Sequence, residues 1–106
     1  MSSLALEIEP IIVEVNVTDD DLSVQLSDGR RIFVPLAWYP RLLYASVAER
    51  RNWQLLGDGY AIEWHDLDEH IGIEGLLAGR HSGENPESLN RWLLSRREIN
   101  KPTDNS

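Results

Sequence analysis

The stretch from Leu22 to Leu36 constrains the fold of this chain most. Leu22, Val24 and Leu26 alternate with polar residues, Ser27-Asp28-Gly29 supplies a tight turn, and Ile32, Val34 and Leu36 resume the alternation. A period of two on both sides of a Gly-containing turn specifies an antiparallel hairpin with one buried face. Upstream, Ile11, Val13, Val15 and Val17 alternate in a β-branched run, predicting a strand with those four residues on one face. Thr18-Asp19-Asp20-Asp21 breaks it, so the first third of the chain reads as a three-stranded antiparallel meander. Pro35 falls at the end of the third strand, where its missing N–H does least harm.

Helical signals follow. Leu36-Ala37-Trp38-Tyr39-Pro40-Arg41-Leu42-Leu43 predicts a short helix broken or started near Pro40. Ser46 and Glu49 match a capping box for a second short helix through Arg51, which delivers Trp53 to the core. Gly57-Asp58-Gly59 is a loop, and Tyr60, Ile62 and Trp64 alternate as a further strand. Ile71 and Ile73 suggest a last short strand, and Leu76 to Ala78 an apolar turn closed by Gly79. Asn85 before Pro86 is an N-cap with proline at N1, opening a C-terminal helix with Leu89, Trp92 and Leu93 on one stripe. The expected fold class is α+β: the meander plus one or two further strands, packed with short helices and a C-terminal helix. Residues 1–10 are expected to form an N-terminal arm, 11–80 the α+β domain, 81–99 a linker and helix, and 100–106 a disordered tail.

With 106 residues the chain is one domain in size. It has no cysteine, which excludes disulfides, thiolate catalysis and Cys-based metal sites. The N-terminal residues lack the basic and long apolar segments of a signal peptide, so the expected location is cytoplasmic. Net charge is −8, and up to Gly29 there are seven acids and no Lys or Arg. Such a surface repels phosphates and suits a protein partner with a basic face, while the simpler reading is acidity that serves solubility alone.

Residues 63–74, Glu-Trp-His-Asp-Leu-Asp-Glu-His-Ile-Gly-Ile-Glu, hold the densest set of reactive groups. His65 and His70 are five apart and do not share a helical face, H-E-x-x-H is absent, and the acids lack the spacing of a calcium loop. A metal-binding domain at His65 and His70 therefore ranks third among the readings. The favoured one is a solvated acidic turn, capped by the Asp66 side chain, with Asp66, Asp68 and Glu69 as surface charge. No serine lies in a G-x-S-x-G context, and no phosphate-cradling loop occurs, so neither catalytic residues nor cofactors are expected.

Trp53, Trp64 and Trp92 fall on apolar stripes and are assigned to the core. Trp38 and Tyr39 are adjacent, so only one can face inward, and the other is a surface anchor. The expected protein interface comprises Trp38, Tyr39 and Arg41, with the acids Asp19, Asp20, Asp21, Asp66, Asp68 and Glu69. A meander also leaves an edge strand through which two copies can pair. The alternative, a nucleic-acid-associated regulator, would use Arg30, Arg31, Arg41, Arg50 and Arg51, against the acidity of the first arm.

Val-Asn-Val-Thr-Asp-Asp-Asp-Leu-Ser-Val-Gln-Leu-Ser-Asp-Gly-Arg-Arg, Leu-Ala-Trp-Tyr-Pro-Arg-Leu, Trp-x-Leu-x-Gly-x-Gly, Ile-x-Trp and Leu-Asp-Glu together resemble a small bacterial family, domain of unknown function 2442, over about residues 12–80. The helix after Glu84 is similar to the ending of its longer members. The resemblance implies a compact α+β domain with no established activity. Some members are fused to a lambda-repressor-like helix-turn-helix, which is absent from this sequence. Others sit beside partner genes in toxin–antitoxin-like pairs. Trp64, Leu67, Asp68 and Glu69 fit the family pattern, whereas His65 and His70 are not part of it. These associations imply a non-catalytic, regulatory or antitoxin-like protein-binding module.

Overall fold

A computed structural model describes residues 9–99. Residues 1–8 of the expected arm and the expected disordered tail, 100–106, lie outside the described residues. In chain order the elements are β1 (Ile12–Val17), β2 (Asp21–Leu26), β3 (Arg31–Pro35), a 3₁₀ turn (Leu36–Trp38), α1 (Pro40–Leu43) and α2 (Val47–Arg51). There follow β4 (Gln54–Leu56), β5 (Ala61–Trp64), a 3₁₀ turn (His65–Leu67), β6 (Glu69–Gly72), α3 (Ile73–Ala78) and α4 (Pro86–Ile99). The fold is α+β, with two three-stranded antiparallel sheets ordered β1-β2-β3 and β4-β5-β6.

The hairpin forms as its alternation dictates. Leu22 pairs with Val34 and Val24 with Ile32, and Leu22, Val24, Leu26 and Val34 are buried. Gly29 takes a φ of +95° in the turn, a conformation that suits glycine. Strand β1 departs from expectation. A bulge between Ile12 and Glu14 resets its phase, so Ile12 and Val15 are buried while Val13 turns out to solvent.

The second sheet has three strands, one more than the largest number expected. Gln54-Leu55-Leu56 is too short to carry a readable period, yet it pairs with Ala61–Glu63. Gly59 closes the β4–β5 turn and joins the two sheets, because its carbonyl accepts the Ile12 N–H at 2.7 Å. Ile73 does not extend the last strand. Its N–H donates to the Tyr60 carbonyl at 2.9 Å, and it opens α3, which incorporates the expected turn Leu76–Ala78. Gly79 ends that helix at φ +73°, with its own N–H on the Leu76 carbonyl and that of Arg80 on the Gly75 carbonyl. This is a Schellman closure.

One hydrophobic cluster spans both sheets and the short helices, with Trp64, Leu22, Leu36, Leu42, Ile62 and Leu67 fully buried. Each fully buried aliphatic side chain of this kind contributes roughly 1.5–3 kcal/mol. Trp53 and Trp92 are half-buried against the same cluster. Helix α2 starts with the expected box: Ser46 Oγ accepts the Glu49 N–H at 3.1 Å and Glu49 Oε1 accepts the Ser46 N–H at 2.9 Å. Helix α4 is capped by Asn85, whose Oδ1 accepts the Ser88 N–H at 2.7 Å. No helix among the described residues is long and apolar enough to cross a membrane.

Candidate functional site

The register of the second sheet decides the position of Glu69. Trp64 lies opposite Glu69 and Ile62 opposite Ile71, so all four share the inward face of the sheet. Trp64, Ile62 and Ile71 are core residues, and Glu69 is half-buried at the margin of that core. Its assignment to surface charge is therefore corrected. Burial pushes the Glu69 carboxyl up to about 7 against the pull of the Arg41 guanidinium, and the negative charges of Glu84 and Asp68 add to the rise. A cavity of about 220 Å³ lies alongside it, walled by Tyr39, His70, Gly75, Arg80 and His81 among others.

Arg41 organises the surroundings. From α1 it donates to Glu84 through Nε and Nη2 at 2.8 and 2.7 Å, and through Nη1 to the Leu67 carbonyl at 3.0 Å. The Asp68 carboxylate lies 3.8 Å from the same Nη1. Glu84 in turn accepts from Ser88 Oγ at 2.7 Å, which fastens the first turn of α4. Two guanidinium groups lie over the Trp92 ring of that helix, Arg41 at 5.1 Å and Arg96 at 4.5 Å from its centre. Arg96 makes a forked pair with Glu49, at 2.8 and 3.0 Å, which holds that carboxyl down at about 2.

Residues 80–84 run over this site as a strap. The Tyr39 hydroxyl donates to the Arg80 carbonyl at 3.0 Å, and the Ser82 N–H donates to the Trp38 carbonyl at 3.0 Å. Trp38 stacks on His81 with ring centres 3.9 Å apart. Of the adjacent aromatic pair, Tyr39 is thus the inward member at 4% exposure, so Tyr39 is not the surface anchor of the two. Its phenol is raised by burial and by the Glu69 charge.

The expected interface residues divide into three places. Tyr39 and Glu69 line the cavity, Trp38 stacks on His81 at its edge, Arg41 and Asp68 lie near Glu69, and Arg41 is spent within the chain. Asp19 lies elsewhere and accepts from Arg50 at 2.8 Å. Asp20 and Asp21 sit beside it, their N–H groups directed to Thr18 Oγ1 at 3.2 and 2.9 Å. Asp66 accepts from Asn52 at 2.8 Å and does not cap the turn, which instead closes on Asp68 in a left-handed conformation at φ 52°. His65 lies in that turn, while His70 faces outward opposite Glu63. Among the described residues no group of three or more His, Asp or Glu side chains gathers to hold a metal.

Four of the five arginines expected at a nucleic-acid contact, Arg30, Arg31, Arg41 and Arg50, make hydrogen bonds within the chain. Arg50 is buried, with Nε and Nη2 on the carbonyls of Leu42 and Leu43, both at 2.9 Å. Arg30 turns onto Asp28 and Arg31 onto Gln25. Sequence reasoning missed Glu84 and His81, which it placed in a linker. The available signal was Arg41 itself, a fork-shaped cation in an apolar run that needs a carboxylate.

The family of proteins of unknown function designated DUF2442 matches residues 12–82. A solved structure of a protein of unknown function from Rhodospirillum rubrum is similar at 25% identity, covering 73% of this chain and 95% of that one with a TM-score of 0.62. No curated protein matches. With the match extending over both sheets and α1 to α3, the chain belongs to the DUF2442 family.

Proposed function

We propose that this chain is a non-catalytic protein-binding module of regulatory type, which engages a basic partner through an acidic surface. One observation carries the reading. Residues 52–79, which form the whole second sheet and α3, hold six acids and no Lys or Arg. Cations nearby are largely engaged with other acids: Arg50 in the core and on Asp19, Arg96 on Glu49, and Arg41 mainly on Glu84, with Asp68 at 3.8 Å. Of the six acids, Asp58, Asp66, Asp68 and Glu74 are exposed. A field of one sign steers an oppositely charged protein and speeds its encounter. Neutralisation of a small basic protein, as an antitoxin does, is the form of regulation such a surface serves.

The test uses the full chain as bait, followed by titration with the purified basic protein it captures. Affinity is expected to fall steeply with added salt, and by about tenfold or more when Asp58, Asp66 and Glu74 are all changed to lysine. Binding indifferent to both would remove the acidic surface from consideration. Capture of nothing above background would remove the binding role.

A further inference from the structure

We propose that the cavity beside Glu69 is the pocket for one cationic side chain, a lysine or arginine, of the partner protein. The inference rests on the reading of the chain as a module for a basic partner, and it names the point of anchorage.

Size is the first ground. Pockets for small-molecule ligands run to roughly 300–1,000 Å³, and this one, at about 220 Å³, is smaller. It suits a single side chain. Chemistry is the second. The carboxyl comes from the inward face of β6, Tyr39 and Ile71 line the space together with His70, Arg80 and His81, and Gly72, Gly75 and Gly83 add no side chain to it. A Cβ added at any of these three glycines would meet nothing within 4 Å.

Charge is the third ground. Arg41 approaches from α1, Glu84 and Asp68 from the strap and the turn, and Arg80, His70 and His81 from the rim. The fork of Arg41 is taken by Glu84, and among the described residues no cation lies within ion-pair distance of Glu69. A carboxylate withdrawn from water without a counter-charge is unfavourable, and an arriving ammonium or guanidinium relieves that cost.

The test follows the Glu69 side-chain carbon of the isotope-labelled full chain through a pH titration by NMR. Three probes are added in turn: lysine, arginine and norleucine, each blocked as the N-acetyl methylamide. The two cations are expected to move the Glu69 midpoint from about 7 toward the ordinary carboxylate range and to displace the amide signals of residues 69–72 and 80–83. Norleucine is expected to do neither, and Glu69→Gln to weaken the cation response about tenfold. Equal responses to norleucine and lysine, or an undiminished response in Glu69→Gln, would overturn the proposal. So would a midpoint that rises in Arg80→Gln while no probe has an effect, since the chain's own Arg80 would then fill the space. Partner binding distinguishes the two levels. A captured partner that binds Glu69→Gln as it binds the unaltered chain sinks the pocket and spares the acidic-surface reading. Partner binding unaffected by reversal of Asp58, Asp66 and Glu74 sinks the surface and leaves the small-molecule titration to judge the pocket.

Discussion

Arg41 and Glu84 meet through two parallel hydrogen bonds, 2.8 and 2.7 Å, across 43 positions of sequence. Both side chains are largely shielded, at 16% and 8% exposure, so this pair is worth more than a surface ion pair. It ties the family core to α4, which lies beyond the residues that the family matches. Arg41→Lys keeps the charge but loses the fork, and is expected to cost about 1–3 kcal/mol and to release α4 first. Hydrogen exchange should show faster amide exchange in residues 86–97 with little change in the two sheets. The pH sense follows from Glu84, whose carboxyl is held down by the Arg41 hydrogen bonds. Its contribution is whole above the unfolded carboxylate pKa and is lost as pH falls through the lower folded value. Uniform exchange across the chain after Arg41→Lys would refute this hinge between core and helix.

Arg50 illustrates a different balance. Its guanidinium serves two carbonyls at the end of α1, Leu42 and Leu43, while its own carbonyl accepts the Trp64 indole N–H at 3.0 Å. Arg50→Met is expected to cost about 3 kcal/mol or more, because the Leu43 carbonyl loses its donor and the Leu42 carbonyl is left with the Ala45 N–H at 3.2 Å. Asp19→Asn is expected to cost less than about 1 kcal/mol, since the carboxylate is 87% exposed and its pair is screened by water. Urea unfolding of the two variants gives the comparison, and equal losses would contradict the division.

Legibility in the sequence followed the range of the interactions. The hairpin, the Ser46 box and the Asn85 cap depend on residues a few positions apart, and each formed where its pattern stood. The β1 phase was misread because a bulge is a two-against-one pairing with β2, invisible in β1 alone. Glu69 was misread for a related reason. Its alternation with Ile71 put it on the inward side, but local polarity in Asp66-Leu67-Asp68-Glu69 outweighed a period counted over only four residues of strand. The partners of Tyr39 and Arg41 lie 41 and 43 residues away, beyond any periodicity.

At Gly59 a side chain would be excluded both by the backbone conformation and by a neighbouring backbone atom. It takes φ +114°, and a Cβ there would come 2.4 Å from the Ile12 carbonyl oxygen, the same residue whose N–H it binds. Gly59→Ala is therefore expected to lose about 2–3 kcal/mol and to loosen the junction of the sheets. Gly29→Ala, at φ +95° in open space, carries only the conformational cost of about 1 kcal/mol. Thermal melts ordering the two variants the other way would show that the turn yields without disturbing β1.

Glu69 makes the stability of the folded chain fall as the solution turns neutral. Its ordinary value is 4.5 and burial raises it to about 7 in the fold. Between those values the folded chain holds a proton that the unfolded chain has released, so unfolding becomes easier as pH rises through the window. The loss is at most about 2–3 kcal/mol, given that the carboxyl is only half-buried. Glu49, held at about 2 by Arg96, acts in the opposite sense: its contribution is whole above 4.5 and is lost toward 2. Together the two carboxyls place the stability maximum near the lower end of the Glu69 window. Glu69→Gln keeps the shape of the side chain and removes the charge, so its stability should stay level from pH 5 to 8 relative to the unaltered chain. Urea unfolding at pH 4.5, 6 and 8 provides the comparison, and two profiles that run parallel would show that the Glu69 carboxyl does not retain its proton in the fold.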